Sequence, residues 1–422
     1  MDLTKKRWLV LVASCLINLC IGSIYAWSVF AAPMAEHLSK VLDTPLTASS
    51  LSIVFTIANA VGPITMISGG TINDRFGPKR VILIGGILFG GGMIGCGYAS
   101  QIPVLAVSYG LGCGLGMGMV YGCTIGNSVK FFPDKRGLIG GIATATYGLS
   151  SVIVPPVANA LIDLYGVTAA FKIFGVLFLV VICGASFFVC QCPPNFIPHN
   201  YHPSKLGINE SADKTWKQML RSRDFYIMVV MLTSGAVAGL MMISQAAPIS
   251  QHMLGLSAGA ASVVVSILAL FNAAGRVIVG YLSDKIGRIN ALSGSFAFSI
   301  VGLVLLLLSN LNRAILFYVG ISVIGICFGA LMGIFPGFTA DQFGSRNNTV
   351  NYGIMFIGFA SAGLIGPVIM SMLYAKTSVY LWAFLFATIL SFLGLLLTFV
   401  WRKMHKTSVQ SSMLLNGISH CK

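Results

Sequence analysis

Charge is what this chain has least of. Only 9% of its 422 residues are Asp, Glu, Lys or Arg, against about 25% in soluble domains. With 56% hydrophobic residues and a mean hydropathy of +0.88, a water-soluble globule is excluded. Acid is scarcer still, with 11 Asp and Glu in all, each in a tail, a loop or a helix end. The apolar stretches hold no His/Asp/Glu cluster and no metal-ligand spacing, so the sequence implies no enzyme, cofactor or metal. The 10 cysteines are scattered (Cys15, Cys20, Cys96, Cys113, Cys123, Cys183, Cys190, Cys192, Cys327, Cys421), none in an outer loop where oxidation would bridge it. They read as small apolar packers.

What the chain does have is apolar runs long enough for a ~30 Å hydrocarbon core. Without water to satisfy the backbone, such runs must be helices. Hydropathy places twelve, at roughly 8–33, 47–71, 81–100, 104–128, 137–162, 168–190, 225–249, 258–282, 289–309, 314–337, 350–374 and 379–401. The net charge of +15 could suggest nucleic acid, but the basic residues lie elsewhere than a nucleic-acid surface needs. With both termini placed in the cytoplasm, every Lys and Arg except Lys40, Lys172, Arg313, Lys376 and Arg276 falls on the cytoplasmic side. That is the positive-inside pattern, which reports orientation in a cell (plasma) inner membrane. Lys5-Lys6-Arg7 and the apolar run up to Ala31-Ala32-Pro33 imitate a signal peptide. The run exceeds the usual ~7–15-residue core, and the tripeptide recurs at Ala246-Ala247-Pro248, so an uncleaved first helix is expected.

An internal repeat sets the architecture. Gly70, Asp74 and Gly77 recur as Gly280, Asp284 and Gly287, each 210 positions later. Ala31-Ala32-Pro33 and His37 are echoed by Ala246-Ala247-Pro248 and His252. The reading is an all-α membrane protein of two pseudo-symmetric six-helix bundles, 1–190 and 223–402. A polar cytoplasmic linker (191–222) joins them and a cytoplasmic tail (403–422) follows. Gly110, Gly114 and Gly118 share one helical face, with Gly112 and Gly116 on the next, a small-xxx-small pattern for close helix packing.

Arg276 stands out, an ionised side chain well inside the span around SVVVSILALFNAAGRVIVGY. Placing it there costs ~2.5–3.5 kcal/mol on insertion scales. With no acid nearby, the counter-ion is expected to be a small organic anion. The competing reading is structural, a guanidinium bonded to backbone carbonyls or snorkelling. Asn272 lies one turn earlier on the same face and can donate an amide hydrogen; its bland role is an interhelical clasp. The stripe Phe328, Met332 and Phe335 has helical spacing. His37 and His252, at matching outer helix ends, are the candidate proton-sensitive groups, or simply interfacial residues kept by the repeat.

Several motifs carry a family likeness: the paired loops at Gly70–Arg80 and Gly280–Arg288, Tyr25-Ala26-Trp27, Tyr121-Gly122, Phe132–Gly137, Tyr147-Gly148-Leu149, Gly275-Arg276 and Asn351-Tyr352-Gly353. On these the chain resembles the major facilitator superfamily over roughly 8–402, and within it the oxalate:formate antiporter family and related monocarboxylate transporters. The resemblance implies that Gly70, Asp74, Arg75 and Gly77, with Asp284, Lys285 and Arg288, form the gating motif that stabilises the outward-facing state. It also implies aromatic cavity walls at Tyr25, Tyr121, Tyr147, Phe328 and Phe356. Phe359 stands where the resemblance implies a second cation, a lysine in the oxalate-transporting member. One arginine neutralises one carboxylate, and a second buried charge without a partner is expensive. Met66, 210 positions before Arg276, supplies no charge either. The expectation is a secondary transporter, acting as a monomer in the lipid bilayer, for a small monocarboxylate of lactate, pyruvate or formate type. Proton symport or anion exchange would drive it. Oxalate/formate exchange, a drug-type exporter and a non-transporting sensor are the alternatives.

Overall fold

The computed structural model describes residues 3–193, 196–198 and 213–419. Twelve helices are long and apolar enough to cross a membrane among them. They are α1 (Leu3–Leu42), α2 (Ser52–Phe76), α3 (Pro78–Cys96), α4 (Ile102–Phe131), α5 (Arg136–Tyr165), α6 (Val167–Ser186), α7 (Arg223–Leu254), α8 (Ala258–Ile286), α9 (Arg288–Leu307), α10 (Ala314–Phe343), α11 (Asn348–Thr377) and α12 (Leu381–Ser419). Each coincides with one expected span. Half of the linker expected at 191–222 lies outside the described residues. Its far end is fixed: Lys214 N–H donates to the Phe343 carbonyl at 2.9 Å, and a capping box of Thr215 and Gln218 starts a short helix, Trp216–Leu220.

The two repeated motifs are helix ends rather than loops. Asp74 lies in the last turn of α2 and Asp284 in the last turn of α8. A single residue then turns the chain into the next helix, Gly77 (φ 84°) and Gly287 (φ 89°). Left-handed backbone of this kind favours a residue without Cβ. Pro78, whose fixed φ suits the first helical position, opens α3. The same one-residue joint recurs at Gly166 (φ 81°) between α5 and α6.

Glycine decides how closely the helices approach. A methyl at Gly110, Gly114 or Gly118 would overlap α2, at Ile57, Ala58 and Gly62 respectively. One at Gly112 or Gly116 would instead meet α3, at Gly92 and Gly85. The two glycine faces of α4 thus serve two neighbours. Residues Ala106–Cys113 of α4 form a π-helical stretch. In the second half, α8 is wedged between α5 and α10. Methyls at Gly137, Gly141 and Gly333 would strike the carbonyl oxygens of Gly280, Arg276 and Arg276 in turn.

The seam between the halves is shut at the end carrying the repeated motifs. There α11 packs on α2 and α4. Every residue of Asn348–Met355 is buried, whereas beyond it in Ile357–Thr377 only Gly358, Ala362, Gly366 and Met370 are. Among the described residues, inter-half hydrogen bonds cluster at this end: Asn73 to Thr349, Lys130 to Arg346, Arg136 to Asp341, and Gly137 and Leu138 to Asp284. The molecule is closed at the motif end and splayed at the other.

Candidate functional site

Two helices are interrupted where the halves meet. In α1 the α-helix gives way to a 3-10 segment at Gly22–Ala26, which presents Tyr25. In α11 it breaks at Phe356. Gly22 allows the first break to press on α5, since a methyl there would overlap the Tyr147 carbonyl oxygen. Irregular backbone at membrane depth is tolerated where it is buried in protein or lines a cavity.

Arg276 lies across from these breaks, 7% exposed. Its Nε donates to Asn272 Oδ1 at 3.1 Å, and its Nη1 donates across the seam to the Thr144 carbonyl at 2.5 Å. No carboxylate pairs with it among the described residues. Part of the structural reading therefore holds, because one backbone carbonyl is engaged. A guanidinium offers five N–H donors, so most remain for another acceptor. Gly148 keeps one approach clear: a Cβ there would lie 3.4 Å from the guanidinium carbon. Asn272 does something the sequence did not suggest. Since Nε is a donor, the amide must turn its oxygen to Arg276, and its NH2 group is left to donate.

The aromatic residues singled out in the sequence form one chain of touching rings. Tyr25 meets Tyr147 at 5.5 Å, Tyr147 meets Tyr121 at 4.6 Å, and Tyr121 crosses the seam to Phe356 at 5.9 Å. Phe356 stacks on Phe359 at 4.5 Å, and Phe359 faces Phe328 at 6.2 Å. Tyr352 meets Phe356 at 5.9 Å from the other side. Tyr25 is the open side of this wall, 39% exposed, while Tyr121 and Tyr147 are buried.

The repeat gives the site a near-symmetric counterpart. Gly141 packs on the backbone of Arg276, and Gly353 packs on the backbone of Met66. Equivalent places in the two seams thus hold one cation and one thioether. Phe359 brings no second charge, and its ring is fully used in stacking.

Three placements differ from expectation or were missed. Arg75 and Lys285 form no ion pair among the described residues; both are exposed and lie over Phe76 and Tyr281 at 5.2 and 4.7 Å. Asp74 pairs instead with Lys130 at 2.8 Å. Asp284 accepts both the Gly137 and Leu138 amides at 2.8 Å and pairs with Arg288 at 2.6 Å. Asp341 joins Arg136 (2.6 Å) to Arg288 (2.8 Å). His37 and His252 are remote from Arg276, at the splayed end. His37 is half-buried, while His252 stacks on Tyr374 at 5.2 Å and shares a hydrogen bond with the Tyr380 hydroxyl at 3.0 Å. Tyr352, Thr144 and Gly148 were missed as site residues. Tyr352 and Gly148 carried a signal in the family-like motifs; a backbone carbonyl carries none.

The chain is 30% identical to an uncharacterized MFS-type transporter, YhjX, of Escherichia coli (strain K12), over 84% of this chain and 85% of that protein. It is 30% identical to the oxalate:formate antiporter of Oxalobacter formigenes, over 86% and 84%. Among solved structures it superposes on FucP in the outward conformation with a TM-score of 0.71 at 11% identity, covering 93% of this chain and 98% of that one. The sequence profile of the Major Facilitator Superfamily matches residues 12–364 and 238–414. With twelve spans in two repeated halves, the chain belongs to the Major Facilitator Superfamily and is a transporter of that fold.

Proposed function

We propose that this protein is a secondary transporter of a small monocarboxylate, of lactate, pyruvate or formate type, working by alternating access. The observation that carries the reading is the buried guanidinium of Arg276, between the halves, with no carboxylate partner among the described residues. Binding between the repeats of such folds lies near the bilayer midplane. An anion docking on the free Nη edge would cancel the one buried charge, with the Asn272 amide and the phenols of Tyr25, Tyr121 and Tyr147 as further hydrogen-bond partners. Phe328, Phe356 and Phe359 would cover its apolar remainder. A neutralised site is cheaper to enclose, so the anion favours the occluded state and shifts the population towards it.

We read the basic motif end as cytoplasmic and the splayed end as external, in a bacterial inner membrane with both termini inside. The conformation is then the one open to the outside, and His37 and His252 flank its mouth. The protein would act as a monomer. Among the described residues no carboxylate pairs with Arg276, so exchange, or a proton carried by the substrate, fits better than a protein-borne proton.

Counterflow in proteoliposomes with labelled lactate, pyruvate, formate and oxalate, with and without a pH gradient, tests the reading. Monocarboxylates should exchange and oxalate should compete weakly. Arg276→Ala should abolish the flux, and Arg276→Lys should lose most of it because an ammonium lacks the planar fork. Oxalate outcompeting the monocarboxylates would favour an oxalate/formate antiporter. Flux untouched in well-folded Arg276→Ala would favour a drug-type exporter with no fixed cation.

A further inference from the structure

A cavity of about 420 Å³ lies at the closed end, bounded by both halves and by the short helix after the linker. Thr71, Asp74 and Arg75 of α2 form one wall, and Asn347 and Val350 beside α11 form another. Thr215, Trp216 and Lys217 close it from the aqueous side. Its two cations come from opposite sides of the seam. Neither Arg75 nor Lys217 has an ion pair among the described residues; each lies over a ring, Phe76 at 5.2 Å and Trp216 at 5.5 Å. The carboxylate in the lining, Asp74, is already neutralised by Lys130 at 2.8 Å. Its other oxygen, Oδ2, is buried and accepts no hydrogen bond. The wall residue Thr71 is exposed, as are Ile64 and Phe76 along the same helix, so the cavity opens along a face that acyl chains can cover. Trp216, 44% exposed, sits at the level of the helix ends, where amphipathic rings prefer to lie.

We propose that this cavity holds the headgroup of an anionic phospholipid. The phosphodiester bridges Arg75 of the first half and Lys217 attached to the second. The acyl chains run down the outer face of α2. The two cations face one another across a shut seam, so the lipid binds this conformation and holds the motif end closed. The proposal is independent of the cargo assigned to Arg276.

Native mass spectrometry of the full-length protein, purified in detergent and supplied with phosphatidylglycerol or phosphatidylcholine, tests it. The wild type should retain phosphatidylglycerol preferentially. The Arg75→Gln/Lys217→Gln double variant should retain at least about tenfold less, since each basic group near an anionic headgroup contributes severalfold in affinity. Arg313→Gln, at the opposite end, should retain it as the wild type does. Soluble glycerol 3-phosphate should not displace the bound lipid. Equal retention by the double variant and wild type, or no preference over phosphatidylcholine, would overturn the proposal. Displacement by glycerol 3-phosphate would overturn the lipid assignment in favour of a soluble phosphate ester.

Discussion

A buried arginine is only as selective as the groups around it. On the proposed reading, selectivity against dianions would reside at Phe359, whose ring stacks at 4.5 Å on Phe356. Phe359→Lys should admit oxalate as a competitor in counterflow and weaken lactate and pyruvate, since an unpaired second cation is costly when only one carboxylate arrives. Asn272 sets the charge of the site. Its oxygen lies 3.1 Å from Arg276 Nε, so Asn272→Asp would place a carboxylate against the guanidinium and cancel it. The anion should then bind well only when that carboxylate is protonated. Uptake by Asn272→Asp should rise as pH falls, while the wild type should show a flatter dependence. Arg276 was legible in the sequence because a charge is visible in an apolar span, and Phe359 only through the family resemblance. The amide's orientation was not, since it follows from which nitrogen of the guanidinium happens to face it.

Among elements, the closest contact between the halves is α5 on α8, and it is made by glycine. Gly141 admits the Arg276 carbonyl and Gly137 admits Gly280. Gly141→Val should prevent this end from closing fully. Overpacking of this kind costs about 1–3 kcal/mol, enough to move a two-state population roughly 5- to 150-fold. The expected outcome is slow counterflow with greater water accessibility at the motif end, measured by labelling of single cysteines placed along α11. Which helices exist, and in what order, could be read from hydropathy, because twenty apolar residues in lipid have one stable form. The breaks at Gly22–Ala26 and Phe356 could not. They depend on contact with a neighbouring helix, and the local sequence around them remains that of a continuous span.

For the whole molecule, the repeat displayed two equal motifs, yet the structure uses them unequally. Asp284 satisfies both first-turn amides of α5 and an arginine, whereas Asp74 engages Lys130 and leaves one oxygen bare. A carboxylate at a helix N-terminus interacts favourably with the dipole as well as with the amides. Asp284→Asn should therefore loosen closure and slow counterflow more than Asp74→Asn does; equal effects would contradict this asymmetry. No sequence pattern could have shown it, because the partners Gly137, Leu138 and Lys130 lie in parts of the chain remote from the two aspartates. The single-glycine joints at Gly77, Gly166 and Gly287 reach beyond mechanism into how the chain tolerates interruption. With one residue between two buried helices there is no slack to absorb an inserted tag or a severed peptide bond. Each joined pair must enter the membrane as one hairpin. A gene split inside such a pair would separate helices that have no independent way to find their angle, whereas one split between the halves would leave every hairpin whole.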